Sequence, residues 1–332
     1  MKKVHFWLLL VSSLLSELAL AQFMRPPAFA GGIPGRASFQ AVLTQRHQAR
    51  TLLYREALEE LRRNPQAADL PVCSDAAQGA CLTAPAVSPA STFPESTSGR
   101  RLALLVGNNR YATPIPPLET PISDVTKIAS ILTQQFGFET RIVKDAGQAQ
   151  IIDAVNRIAT EVRPEDSVVL FYAGHGYLME DLQMGFWIPV DASVKTAKGW
   201  ISNSDISKLL AAIPARQLIL ISDSCFSGTL TREGKVPEVD VTRPGDISQR
   251  RSVVVMSSGG DEPVSDEGKD GHSVFAWNLI RTLENTGSIT PGLRVWSNLH
   301  RSVMQDFPQE PQYGAVVSAG HVAGGDFLFL PR

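Results

Sequence analysis

With 332 residues, 43% of them hydrophobic and 19% charged, the chain has length for about two domains, or one large domain with extensions, and enough apolar content for a substantial core. Its 31 Lys and Arg against 33 Asp and Glu leave a net charge of −2, and no tract concentrates basic residues. Nucleic acid and anionic membranes are thereby excluded as partners selected by global charge.

The chain opens on a targeting pattern. Lys2 and Lys3 precede a mostly apolar run from Val4 to Leu15, and Ala19-Leu20-Ala21 offers an A-x-A cleavage site before Gln22. That layout predicts a signal peptide over residues 1–21 and a periplasmic or secreted protein. The alternative is an N-terminal membrane anchor. Against it, Ser12, Ser13, Ser16 and Glu17 interrupt the run, which falls short of the ~20 apolar residues that span a bilayer.

Residues 22–100 read as an accessory region. Val42, Leu43, Leu52, Leu53, Ala57, Leu58 and Leu61 recur among charges, so an amphipathic helix is predicted over Phe39–Arg63, ended by Asn64-Pro65. A prodomain, a helix that binds a protein partner, or a spacer all fit this pattern. Cys73 and Cys81 are placed to close a small disulfide loop in an oxidising compartment. Ala84 to Gly99 is rich in Pro, Ser and Thr and reads as a linker.

From Arg101 to Arg332 strands and helices alternate. Strands are predicted at Leu102–Val106, Phe138–Val143, Ser167–Phe171, Leu218–Ile221 and Ser252–Met256. Helices follow from Ile122 to Phe136, with Thr120 as N-cap before Pro121, from Ile151 to Val162, near Asp205–Ile213, and from Ser273 to Leu283. A hairpin-like excursion runs to Phe186–Pro189. The alternation predicts an α/β domain, a mainly parallel central sheet covered on both faces.

Two buried strands end in reactive residues. One runs into Gly174-His175-Gly176 and the other into Asp223-Ser224-Cys225, at the carboxyl ends where open α/β sheets place ligand sites. An imidazole beside a thiol generates the nucleophilic thiolate and later protonates the leaving group, so His175 and Cys225 are the candidate dyad. A core histidine and a buried structural cysteine are the plainer alternatives. The amides of Gly176 and Cys225 are candidates for an oxyanion hole. No CxxC or HxxxH spacing offers a metal site.

These motifs together carry a resemblance. Tyr172–Tyr177 (YAGHGY), Trp187–Ala192 (WIPVDA), Asp223–Gly228 (DSCFSG), His272–Ile280 (HSVFAWNLI) and Gly324–Phe329 (GGDFLF) occur in this order. Residues 101–332 thus resemble the caspase-like domain of clan CD cysteine peptidases (peptidase C14 type), especially the bacterial metacaspase-like members. The resemblance implies a three-layer α/β/α sandwich and a cysteine endopeptidase acting on protein or peptide substrates. It gives His175 and Cys225 the catalytic roles. It also implies that Asp124 and Asp223 line an S1 pocket, whose paired acids suit Arg or Lys rather than Asp. For Asp124 a helix first-turn acid is the plainer alternative, and for Asp223 a turn residue.

Several members of that family are activated by calcium through acids before the helix that precedes the nucleophile strand. Here that stretch is Ile201-Ser202-Asn203-Ser204-Asp205, with Asn and Ser in place of acids, so neither calcium dependence nor any other cofactor is expected. The loop Thr229–Arg251 carries Arg232, Lys235, Arg243, Arg250 and Arg251, which a peptidase specific for basic residues can cut in itself. A catalytically silent caspase-fold scaffold and a small-substrate thiol amidase are the competing functions.

Overall fold

The computed structural model describes residues 36–72, 81–82, 99–224, 227–239, 244–259 and 268–332. The predicted signal peptide and linker residues 84–98 lie outside the described residues. Among the described residues no helix is long and apolar enough to cross a membrane.

Six strands form the central sheet: β1 (Arg101–Gly107), β2 (Glu139–Lys144), β3 (Ser167–Ala173), β7 (Gln217–Asp223), β8 (Ser252–Ser257) and β10 (Gln312–Ala315). Their spatial order is β10-β8-β7-β3-β1-β2, parallel throughout except for β10. The mainly parallel α/β sheet expected from the alternating pattern is therefore present, with helices on both faces as the resemblance implied. Alternation along each strand divides the core. Ala103, Leu105, Val169, Phe171, Ile219, Ile221, Val254 and Met256 face α3 (Pro121–Phe136), α7 (Val274–Glu284) and α8 (Gly292–Asp306). Leu102, Leu104, Val168, Leu170, Leu218, Leu220, Val253 and Val255 face α4 (Gln148–Glu161) and α5 (Asn203–Ala212). Edge strand β2 carries Glu139, Arg141 and Lys144, charges that discourage pairing with another chain.

Helix α3 differs from expectation at its start. Thr120 makes no capping bond; Asn109 Oδ1, from the loop after β1, accepts the amide of Ile122 instead. The helix stops where Gly137 enters the left-handed region at φ 72°. The loop after β7 is also more ordered than its composition suggests. Ser227–Arg232 forms a 3-10 turn, Gly234 accepts the amide of Ala315 on β10, and Pro244–Ser248 forms the short helix α6.

The hairpin excursion is a second, antiparallel sheet of β4 (Gly176–Met179), β5 (Met184–Trp187) and β6 (Ile201–Ser202). Against it pack α1 (Arg36–Leu53) and α2 (Arg55–Arg63), which replace the single helix expected over this stretch. The break falls at Tyr54, whose buried ring makes edge contacts with Tyr177 and Trp200 at 5.4 and 5.1 Å. Ala57, Leu58 and Leu61 complete the contact with Met179, Phe186, Ile188 and Trp200. The Arg62–Asp181 ion pair at 2.7 Å sits at its rim. Leu61→Ala should therefore cost about 2–5 kcal/mol through the cavity it leaves. Denaturant unfolding checks this, with faster proteolysis within α1 and α2 as the local sign.

The terminal Gly324–Phe329 motif works structurally. The Asp326 carboxylate accepts bonds from Tyr313 Oη (2.5 Å), Phe327 N (2.8 Å) and Leu293 N (3.0 Å), pinning the chain end to α8 and β10. Burial raises its pKa from 3.8 to about 6, and those three donors only partly restrain the rise. Because the folded chain holds this proton more tightly, the associated stability is complete below 3.8 and is lost as pH rises through about 6. Asp326→Asn should abolish that component, seen as a wild-type minus variant unfolding free energy that falls with pH across this window.

Candidate active site

His175 occupies the two-residue connection between β3 and β4, and its backbone is held from both sides. Its amide donates to Tyr111 Oη at 2.8 Å, and its carbonyl accepts from Tyr172 Oη at 3.0 Å and from Ile188 N at 3.0 Å. Gly174 is required beside it, since a Cβ there would lie 2.7 Å from Tyr111 Oη and 2.9 Å from Tyr172 Oη. The Tyr111 ring packs on the imidazole at 4.5 Å, and Tyr172 stacks on Trp187 at 4.2 Å.

One contact sets the tautomer. His175 Nε2 lies 2.8 Å from the Pro116 carbonyl oxygen. A carbonyl only accepts, so Nε2 carries the hydrogen and Nδ1 of the neutral ring keeps the lone pair. The loop that presents Pro116 is anchored by Asn108, whose amide donates to Ala173 O at 3.0 Å, and by Ala112, whose amide donates to Val190 O at 2.9 Å. Neither Pro116 nor Tyr111 was foreseen as a site residue. Pro116 acts through its backbone and leaves no side-chain signal, whereas the polar loop ending at Tyr111 was visible.

His175 is only 3% exposed. Burial drives its imidazole down to about 3, Arg50 on α1 adds to the fall, and the bond to Pro116 opposes it. Helix α1 meets β4, the strand that follows this residue, at Tyr177. His47 stacks on Tyr177 at 6.0 Å, and the Thr51 hydroxyl is 3.0 Å from Tyr177 Oη.

Strand β7 runs parallel beside β3, with Asp223 opposite Ala173 and the Gly174 amide donating to Asp223 O at 3.3 Å. Ser222 Oγ accepts from Trp187 Nε1 at 3.1 Å and lies 3.0 Å from Ser224 Oγ, while the Ser258 hydroxyl reaches Ser224 O at 3.3 Å. The end of the strand is thus tied to β5 and to the residues after β8. Cys225 follows Ser224 in the chain and lies outside the described residues. Gly176 faces Trp187 across the β4–β5 ladder. Because His175 and Ile188 form the bonded pair before it, Gly176 falls at a non-bonded position and its amide points away from β5.

Both candidate pocket acids are buried and meet one segment. Asp124, in the first turn of α3, accepts from His272 Nδ1 at 2.7 Å, and Asp223 accepts from Ser273 Oγ at 2.5 Å. The calcium-position stretch is otherwise employed. Asp205 is fully buried, accepting from Ser202 Oγ, Lys208 Nζ and the Leu70 amide. Among the described residues no group of three or more His, Cys, Asp or Glu is placed to hold a metal. Cys81 is disulfide-bonded; Cys73 lies outside the described residues.

The caspase-domain family model (peptidase C14) matches residues 100–318, well over half of the chain. The chain belongs to the caspase-domain family. Its relatives include metacaspase-1 of Meyerozyma guilliermondii, 30% identical over 152 residues that cover 40% of this chain and 36% of that protein. Metacaspase-1B of Aspergillus fumigatus gives the same identity and coverage. Metacaspase-1 of Kluyveromyces lactis is 29% identical over 153 residues, 40% of this chain and 34% of that protein. The chain thus spans little more than a third of the length of these curated relatives. A crystal structure of a Geobacter sulfurreducens protein is similar at 18% identity with a TM-score of 0.47, covering 69% of this chain and 99% of that one.

For this caspase-domain chain the Arg50 effect is measurable. Arg50→Ala removes one of the two causes that depress His175, so the imidazole should titrate above the wild-type value of about 3, yet below 6.5 because burial remains. NMR titration of the His175 ring protons checks this; an unmoved midpoint means that the Arg50 charge does not reach the ring.

Proposed function

We propose that the chain is a cysteine endopeptidase that hydrolyses peptide bonds of protein or peptide substrates after Arg or Lys, with Cys225 as nucleophile and His175 as general base. The observation that carries this reading is the Nε2–Pro116 bond, which leaves the lone pair on Nδ1 at the end of β3, beside the strand that leads to Cys225. The metacaspase relatives support the same chemistry by their names.

In the proposed cycle, Nδ1 of His175 takes the thiol proton and the Cys225 sulfur attacks the scissile carbonyl carbon. The amides of Gly176 and Cys225 receive the oxyanion. His175 then passes its proton to the departing amine, leaving an acyl-enzyme. Water, deprotonated by the same imidazole, releases the acid and restores the thiol. Asp124 and Asp223 receive the basic side chain preceding the scissile bond, where a carboxylate side chain would be repelled. The reaction so described uses no cofactor. With residues 1–21 acting as a signal peptide, we place the enzyme in the periplasm or outside the cell.

A second reading, a catalytically silent interaction protein on the caspase fold, is favoured by one observation. His175 is buried with its basicity depressed, by burial first and by the Arg50 charge second. Hydrolysis of matched fluorogenic peptides ending in Arg, Lys or Asp separates the two. Cleavage after Arg and Lys is expected, abolished in Cys225→Ala and reduced about 10²–10⁴-fold in His175→Ala. Cleavage after Asp alone removes the pocket assignment. No cleavage by the full chain, or by the chain without α1, leaves the interaction protein as the function.

A further inference from the structure

Two buried carboxylates assigned to one pocket present a physical problem: burial favours protonation, and a protonated acid no longer attracts a cation. Hydrogen-bond donors that bring no positive charge solve it, because they stabilise the ionised form without cancelling it. Consecutive residues of a single segment supply such donors here. His272 Nδ1 reaches Asp124 Oδ1 at 2.7 Å, and the Ser273 hydroxyl reaches Asp223 Oδ2 at 2.5 Å. Burial lowers the His272 imidazole, Lys127 on α3 adds to the fall and Asp270 opposes it, which favours the neutral ring as the donor to Asp124.

The segment itself is held at both ends. The Ser123 hydroxyl of α3 donates to Gly271 O at 2.6 Å, and Ser273 Oγ accepts the Ala276 amide at 2.9 Å as the N-cap of α7. Asp124 comes from the helix after β1 and Asp223 from the end of β7. One two-residue bracket therefore sets where the two carboxylates stand relative to each other.

We propose that His272, seconded by Ser273, is the positioning residue of the pocket for basic side chains: it holds Asp124 ionised and oriented beside Asp223, and so determines the preference for Arg and Lys. The inference rests on the endopeptidase reading above for the identity of the pocket. It gives a role to the start of the His272–Ile280 motif.

The test compares the full chain with His272→Ala and with His272→Asn, which restores an N–H donor near the position of Nδ1. Two peptides are used, identical except for Arg or its uncharged isostere citrulline before the scissile bond. His272→Ala should lower the Arg-to-citrulline ratio of kcat/KM at least about tenfold, 1.4 kcal/mol by the usual conversion, through KM for the Arg peptide. His272→Asn should recover most of it. An unchanged ratio, an equal fall for both peptides, or tighter use of Arg overturns the proposal; the last outcome would make His272 a competitor for Asp124. The pocket is also measured without turnover, by calorimetry of benzamidine binding to the Cys225→Ala chain with and without His272→Ala. Binding weakened about tenfold supports the inference even if no peptide is cleaved, an outcome that defeats only the endopeptidase reading. Equal binding, or none in the parent, defeats the inference.

Discussion

A carbonyl oxygen that can only accept, set 2.8 Å from His175 Nε2, is the constraint around which the site is arranged. It assigns the ring hydrogen to one nitrogen and the lone pair to the other. Keeping that carbonyl in place takes a loop that is neither helix nor strand, and the fold builds one from β1. Asn108 bridges to both neighbours of the site: its amide meets Ala173 O, while its side chain exchanges bonds with the backbone of Ala146. Asn109 caps α3 and accepts the Leu118 amide through its carbonyl. The same few residues therefore locate Pro116 against the imidazole and Asp124 at the head of α3. The proposed base and the proposed pocket are coupled through one loop.

The strands that carry this arrangement were legible because both faces of the sheet are covered. Runs such as Val168–Phe171 and Leu218–Ile221 are continuously apolar, as strands buried on both faces require. Where burial is uneven the signal faded. Gln312–Ala315 (QYGA) has no such run, and its place beside β8 follows from tertiary contact alone. Helix α8 was overlooked behind Pro291 and its many polar residues, although Val295, Leu299 and Val303 sit four apart on its buried face and would have revealed it. Thr120 had the composition of a cap and lost the position to Asn109, thirteen residues away from the amide it serves. His175 stood out by residue type and position, whereas Asp124 and Asp223 were singled out only through the family resemblance. Pro116 did not, because a backbone carbonyl has the same chemistry in every sequence.

The two acids of the proposed pocket, both buried, are each met by a hydrogen-bond donor from one segment. Asp223 continues a central strand and cannot leave the sheet; Asp124 begins a helix whose N-terminal dipole favours an anion. Asp124 then meets His272 and the Ser273 amide, and Asp223 the Ser273 hydroxyl, all in the turn that opens α7. Three secondary-structure elements from distant parts of the chain thus converge on two carboxylates, and the shortest of the connections is a pair of adjacent residues. Positional error in any one element is limited by that pair, which is the reason a two-residue motif carries more geometric information than the long helix behind it.

Burial first, and Arg50 of helix α1 second, set how basic His175 is. An imidazole near 3 is a weak acceptor for a thiol whose ordinary pKa is ~8.5, and the transfer is uphill by several units. Burial is the larger cause and Arg50 the second, and α1 contributes to the site through Arg50, His47 and Thr51. The helix is anchored by the apolar contact of α2 and Tyr54 with the β4–β5–β6 sheet, a contact built from Leu58, Leu61 and Trp200 and independent of the dyad. Hydration of the ring and removal of the Arg50 charge act in the same direction, toward a stronger base.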